Sequence, residues 1–297
     1  MSVFYDQVLK ANIFIQPLLF ILIVVTNILK IRILSSRALR ISQCSHYLTS
    51  YAIFSIIYTC LLCPTQVIRA LYIGWEDTPI GCHIYFFALF TPPYLSRAML
   101  ILASFDRYCS GSKLQRLNLT STKRATHKTI ILTTILIIVY MSPMSFIYYY
   151  DTTTAACRQY TNFLVNVFVF SQVIVYYTLA PILMIIFGIL TIMNIHQYAF
   201  IRTTLQSYST HGRRTERQLA RMLLLQICSH LILTTPFGVL YFMNAFNPAT
   251  RTPNIIAIRY ICVMWTQCDY FLSFFLYILS GSGYRNELRR LLKLNEP

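Results

Sequence analysis

Seven apolar runs, each long enough to cross a bilayer, leave this chain few ways to fold. They lie at about 12–34, 46–72, 80–109, 127–149, 163–195, 219–245 and 256–279. A helix needs about 20 apolar residues to span a hydrocarbon core of about 30 Å, and within lipid a helix satisfies its own backbone polar groups. The expected fold is an all-α membrane protein, a seven-transmembrane helix bundle, with residues 1–297 forming one domain. Composition agrees: charged residues make up only 11% of the chain, against about a quarter in soluble domains. At 284–294, Leu288, Leu291 and Leu292 fall on one helical side and Arg285, Arg289, Arg290 and Lys293 on the other. That is the pattern of a short helix lying on the membrane surface.

A net charge of +16 would suit nucleic acid if the basic residues gathered on a soluble face. Here they sit in short segments between apolar runs, which makes the lipid bilayer the partner and argues against nucleic acid. With the N-terminus outside, nineteen Lys and Arg fall at inner positions, Lys30 among them, and six fall in outer segments or span interiors. This asymmetry predicts an extracellular N-terminus and a cytoplasmic C-terminus in a multi-pass plasma-membrane protein. Most positive charge follows the first run rather than preceding it, so that run reads as a retained helix and not a signal peptide. Of the nine cysteines, the nearest to a ligand pair are Cys60 and Cys63 (CLLC), which lie inside a span and read as buried apolar filler, so neither metal nor cofactor is expected.

The third run is bounded by chemistry at both ends. Cys82 opens it, and Asp106-Arg107-Tyr108 closes it 25 residues on to Arg107, or roughly 37 Å of helix at about 1.5 Å per residue. Cys82 and Cys157 both fall on the outer side, where disulfides persist. They are either bonded, tying the polar loop 151–159 to the third helix, or two free thiols. Asp106-Arg107 falls at the inner end. Glu216 stands at the inner start of the sixth run, 20 residues before Pro236. An Arg107–Glu216 contact would close the inner ends of two helices and could open for a cytosolic partner; alternatively Arg107 is one more inner arginine. An Asn118-Leu119-Thr120 triplet falls on the inner side, out of reach of glycosylation.

On these residues the chain resembles the rhodopsin-like, family A, G-protein-coupled receptors over nearly its whole length. The resemblance is carried by Cys82 with Asp106-Arg107-Tyr108, Cys157, Pro181, Pro236 and Glu216. Ser273-Phe274-Phe275-Leu276-Tyr277 followed by Tyr284-Arg285 is similar to the family's NPxxY segment and surface helix, and Asn27 to its first-span asparagine. The resemblance implies an extracellular ligand, rearrangement of spans five to seven, and nucleotide exchange on a heterotrimeric G protein. Asp106, Arg107, Tyr108, Glu216 and Tyr277 would serve that switch.

Several family positions are altered. The span-two aspartate is Ser55, the NPxxY asparagine and proline are Ser273 and Phe274, and the span-six tryptophan is Thr234. Asp269, with Ser55, Ser96 and Ser273, could rebuild a polar centre. Arg97 also lies mid-span. It either pairs with Asp269 or the two charges snorkel and bond backbone carbonyls separately.

On the ligand side, the aspartate of amine receptors is Leu89 and the retinal lysine of opsins is Gln267, so neither a biogenic amine nor retinal is expected. The outer half is rich in aromatics, and Phe86, Phe90, Trp265 and Gln267 are the candidate contacts for a peptide or small molecule. Other functions are weaker. A receptor-like protein that does not couple to G protein fits the altered motifs. A transporter would need charges along a path, commonly within repeats, and Arg97, His230 and Asp269 are few and scattered. An intramembrane hydrolase would need a nucleophile and base, for which Ser282 and His230 are only loose candidates. The chain is therefore not read as an enzyme.

Overall fold

The computed structural model of this chain describes residues 3–37, 39–40, 42–71, 78–110, 123–153, 156–160, 162–202, 210–246 and 252–293; for residues 110, 156, 195–202, 210–220, 244–246, 282 and 293 it describes the backbone alone. The Asn118 triplet lies outside the described residues, as does the Glu216 side chain.

Seven helical stretches are long and apolar enough to cross a membrane. They are α1 (Val3–Leu34), α2 (Gln43–Ala70), α3 (Pro79–Ser110), α4 (Lys123–Met141) with the short α5 (Met144–Ile147), α6 (Phe163–Val173) continuing through a wide turn into α7 (Ala180–Arg202), α8 (Thr210–Phe246) and α9 (Pro253–Ser280). The short α10 (Ser282–Lys293) follows. The expected seven spans and terminal helix are all present.

Neighbours pack in the order α1 with α2 and α9, α2 with α3, α3 with α7, and α8 with α9. The third span is the most buried of the seven. The core runs along it: Met99, Leu100 and Ala103 meet Tyr51, Met184, Ile227 and Tyr277, all fully or nearly fully buried. By contrast, Ile131, Leu132, Ile135, Leu136 and Val139 of α4 point outward. Such an apolar belt is stable only if the surrounding solvent is lipid.

Local chemistry explains the helix ends. Thr252 caps α9, its hydroxyl accepting the Ile255 N–H at 3.4 Å, with Pro253 at the first helical position. At the other end the helix breaks at Gly281 alone. A Cβ there would stand 2.9 Å from Met222 Sδ and 3.2 Å from the Tyr277 carbonyl. Glycine thus lets α8 and α9 close together where the chain turns into α10. Arg285 then donates to the carbonyls of Ile278 and Leu279, at 3.2 and 3.1 Å, satisfying acceptors left by the last turn of α9.

Three sequence expectations change. The fourth span stops being regular helix at Met141 rather than 149, because Ser142-Pro143 interrupts it. The polar loop 151–159 is the second half of a β-hairpin, β1 (Tyr148–Asp151) antiparallel to β2 (Ala156–Gln159), with Tyr150 opposite Cys157. Its turn is fixed by Asp151, whose carboxylate accepts from the Thr153 N–H and hydroxyl at 3.0 and 2.6 Å and meets Arg158 at 3.2 Å. Finally, the sixth helix, α8, begins at Thr210 rather than about 219 and runs through Gly212; a glycine inside a helix costs only about 1 kcal/mol.

Candidate functional site

The site is built from the disulfide end inward. Cys82 and Cys157 are bonded, with Cα atoms 5.5 Å apart. The bond brings the hairpin onto the end of α3, where Phe86 stacks on Tyr148 at 3.7 Å between ring centroids. His83 Nδ1 lies 2.8 Å from the Ser145 carbonyl and fixes the same corner.

Beneath this cap is a cavity of about 300 Å³, at the lower end of ligand-pocket sizes. Phe86 and Phe90 line it, together with eight tyrosines and three arginines, Arg69, Arg97 and Arg259. Trp265 and Gln267 do not line it. Trp265 is 50% exposed on the outside of the bundle. Gln267 is turned toward the first two spans, donating to Gln16 Oε1 at 3.1 Å and to Cys63 Sγ at 3.5 Å.

Arg97 is at the cavity's edge for a specific backbone reason. Residues Ile174–Leu179 form a π turn whose hydrogen bonds reach five residues back, and the Ala180 N–H donates to the Val175 carbonyl. The next bond in that register would run from residue 181 to the Tyr176 carbonyl, but Pro181 has no N–H. Arg97 Nη1 takes that place, 2.5 Å from the Tyr176 oxygen. Its guanidinium also lies over the rings of Tyr176 and Tyr177, at 3.5 and 5.4 Å. Arg97 and Asp269 therefore do not pair directly. Of the two arrangements the sequence allowed, separate engagement is the one observed.

Asp269, 1% exposed, has other partners. Its carboxylate lies 2.6 Å from His230 Nδ1 and accepts from the hydroxyls of Tyr51 at 3.2 Å and Ser229 at 3.4 Å. The serines expected around it are all buried but largely bond elsewhere. Ser55 donates to the Tyr51 carbonyl at 2.7 Å and Ser96 to the Pro92 carbonyl at 3.0 Å. Ser273 donates to the Tyr270 carbonyl and accepts from Lys30 Nζ, each at 3.1 Å.

Lys30 is the main surprise. Counted by sequence among the inner basic residues, it is 0% exposed inside the bundle. Its ammonium sits 4.4 Å from the Tyr51 ring and 4.6 Å from the Tyr277 ring. The aromatic faces and the Asp269 charge offset part of the cost of that burial. The signal available in the sequence was its spacing: Lys30 is three residues after Asn27, on the same helical face. Asn27 itself donates to the Ile23 and Tyr270 carbonyls, at 2.9 and 3.2 Å, and joins α1 to α9. Gln226, also missed, accepts a hydrogen bond from the Tyr277 hydroxyl.

At the end opposite the disulfide, Asp106 and Arg107 are both buried and paired at 3.0 Å. Arg107 Nη2 also donates to Ser42 Oγ at 2.8 Å, reaching the N-terminus of α2. The Asp106 carboxylate accepts from the Cys44 backbone. Tyr108 stacks obliquely near Phe187, and its carbonyl accepts from Asn194 at 3.2 Å. Glu216 lies on α8. Tyr284, just past α9, packs edge-on against Phe274 and Tyr277, and burial pushes its phenol above the usual range, so it stays neutral.

A seven-span bundle with a capped cavity at one end and a buried acid–arginine pair at the other defines a multi-pass membrane protein of receptor type. Residues 26–270 match the family described as 7 transmembrane receptor (rhodopsin family). The chain belongs to that receptor family, the rhodopsin-like G-protein-coupled receptors. Comparison with curated proteins gives no match.

Proposed function

We propose that this chain acts as a single receptor unit in the plasma membrane, its disulfide end and N-terminus extracellular and its α10 end cytoplasmic. A ligand in the capped cavity shifts the bundle so that the cytoplasmic end activates a heterotrimeric G protein. One observation carries the reading: buried polar groups continue from the cavity toward the far end. Arg97 at the cavity lies within electrostatic range of His230. His230 meets Asp269, Asp269 meets Tyr51, Lys30 bridges the Tyr51 and Tyr277 rings, and Tyr277 meets Gln226. Below these, Asp106, Arg107 and Ser42 join α3 to α2. In this reading the ligand remakes these discrete polar contacts, as a two-state switch requires.

In this reading Asp106, Arg107, Tyr108, Glu216 and Tyr277 form the coupling end, and Asn27, Ser55, Ser96, Arg97, Asp269 and Ser273 belong to the transmitting core. The test is nucleotide exchange on purified G protein, comparing the wild type with Arg107→Ala and Glu216→Ala across a ligand panel. Both variants are expected to change basal or ligand-driven exchange. Exchange by Arg107→Ala indistinguishable from the wild type would defeat the coupling claim. Ser55, Thr234, Ser273 and Phe274, in place of the family's usual core residues, favour one second reading: a receptor that binds ligand without coupling. It predicts ligand binding with no exchange.

A further inference from the structure

The cavity has a charge character that narrows its ligand. Among the described residues that line it are Arg69, Arg97 and Arg259, and not one Asp or Glu. The argument rests on Arg97 and Arg259, neither of which makes an ion pair among the described residues. Arg97 is 3% exposed. Its described hydrogen-bond partners belong to neutral Tyr176, and its Nε has no hydrogen-bond partner among the described residues. A guanidinium stays charged in proteins, and an uncompensated charge inside a membrane bundle is costly. The buried carboxylate that could have offset it, Asp269, is engaged by His230.

The two arginines bracket one aromatic wall. Arg97 lies over Tyr176 and Tyr177, and Arg259 lies 5.9 Å from both the Phe237 and Tyr241 rings. The Tyr177 ring is 5.7 Å from Tyr241 and 6.3 Å from Phe237, so the wall is continuous. A cationic ligand would meet no opposite charge among the described lining residues, and a neutral one would leave Arg97 with only the Tyr176 carbonyl and the faces of two tyrosine rings. The planar donor fork of arginine matches a carboxylate or phosphate oxyanion.

We infer that the ligand is an amphipathic organic oxyanion, its carboxylate or phosphate head held in the cavity by the combined positive charge of Arg97 and Arg259 and its apolar body packed against the aromatic wall. The inference rests on the reading of this cavity as the ligand site, and it is tested by binding alone. The full-length chain in lipid nanodiscs is titrated with four probes sharing one body: 4-biphenylacetate, 4-biphenylyl phosphate, 4-biphenylacetamide and 4-phenylbenzylamine. The readout is the shift in thermal unfolding midpoint with concentration.

At least one anion is expected to bind tenfold or more tightly than the amide and the amine, and the better anion identifies the head group. Arg97→Gln and Arg259→Gln should each erase that preference. Arg259, half-buried at the cavity, serves as the decisive variant if Arg97→Gln does not fold. The inference is overturned if neither anion shifts the midpoint, if the amide or amine binds as well, or if Arg259→Gln keeps the full preference. Nucleotide exchange in the same preparation separates the two proposals. Anion binding without exchange defeats coupling and upholds this inference; exchange driven by the amine does the reverse.

Discussion

His230 and Asp269, 39 residues apart in sequence, meet side chain to side chain at 2.6 Å in the buried centre of the bundle, joining the sixth span to the seventh. Asp269 also carries the nearby Lys30 charge, through a shared neighbour: Tyr51 donates to the carboxylate and offers its ring face to the ammonium. One acid therefore serves two basic groups, and its loss should be felt by both.

Asp269→Asn is expected to destabilise the receptor by about 3–5 kcal/mol, the usual cost of leaving a buried charge without its partner. Adding Lys30→Met should recover about 1 kcal/mol or more, because it removes the stranded ammonium. Thermal unfolding of the three variants in detergent reads this directly. A double variant no more stable than Asp269→Asn would dissociate Lys30 from the acid.

Exchanging the charges at Arg97 and Asp269 should not rescue either single substitution. Each residue has its own partners, the Tyr176 carbonyl for one and His230 for the other. Surface expression of Arg97→Asp, Asp269→Arg and the double variant measures it. Recovery in the double variant would show that the pair interacts after all.

Gly238 faces the cavity wall from the sixth span. A Cβ at this position would come 2.5 Å from Tyr177 Cδ1, so the ring must move. Gly238→Ala should cost about 1–3 kcal/mol through overpacking. It should also weaken binding of any cavity ligand, since Tyr177 is part of both the wall and the Arg97 stack. Gly238→Ala with unchanged unfolding midpoint and unchanged ligand affinity would mean that Tyr177 repacks freely.

Tyr277→Phe should cost about 1–3 kcal/mol, because it leaves the buried Gln226 oxygen without its donor. Combining it with Gln226→Leu should cost less than Tyr277→Phe alone, since both polar partners are then gone. A double variant less stable than Tyr277→Phe would place the Gln226 contribution elsewhere.

The architecture was legible from the sequence because hydropathy and basic segments repeat on the scale of a bilayer. Cys82, Phe86 and Phe90 could be placed from the third run alone, since its length and polarity assign each residue a depth. Depth, however, does not give direction around the helix axis. Trp265 and Gln267 lie near the cavity's level, yet one faces outward and the other toward Gln16. Lys30 was misplaced for a related reason. A lysine near a helix end normally reaches water, and only the rings of Tyr51 and Tyr277, from two other spans, make an interior position tolerable. The hairpin depends on the register of Tyr150 against Cys157, which no local periodicity announces. The π turn is subtler still, since Pro181 alone marks a kink without revealing which carbonyl it orphans.

Lys30 has one further consequence. Its ammonium is a counter-ion fastened by its own tether to the first span, held against Ser273 in the seventh. It has no concentration and cannot wash out, so changing the salt around the receptor cannot exchange it. The protein carries this amine from synthesis onward, and any rearrangement of spans one and seven must carry it too.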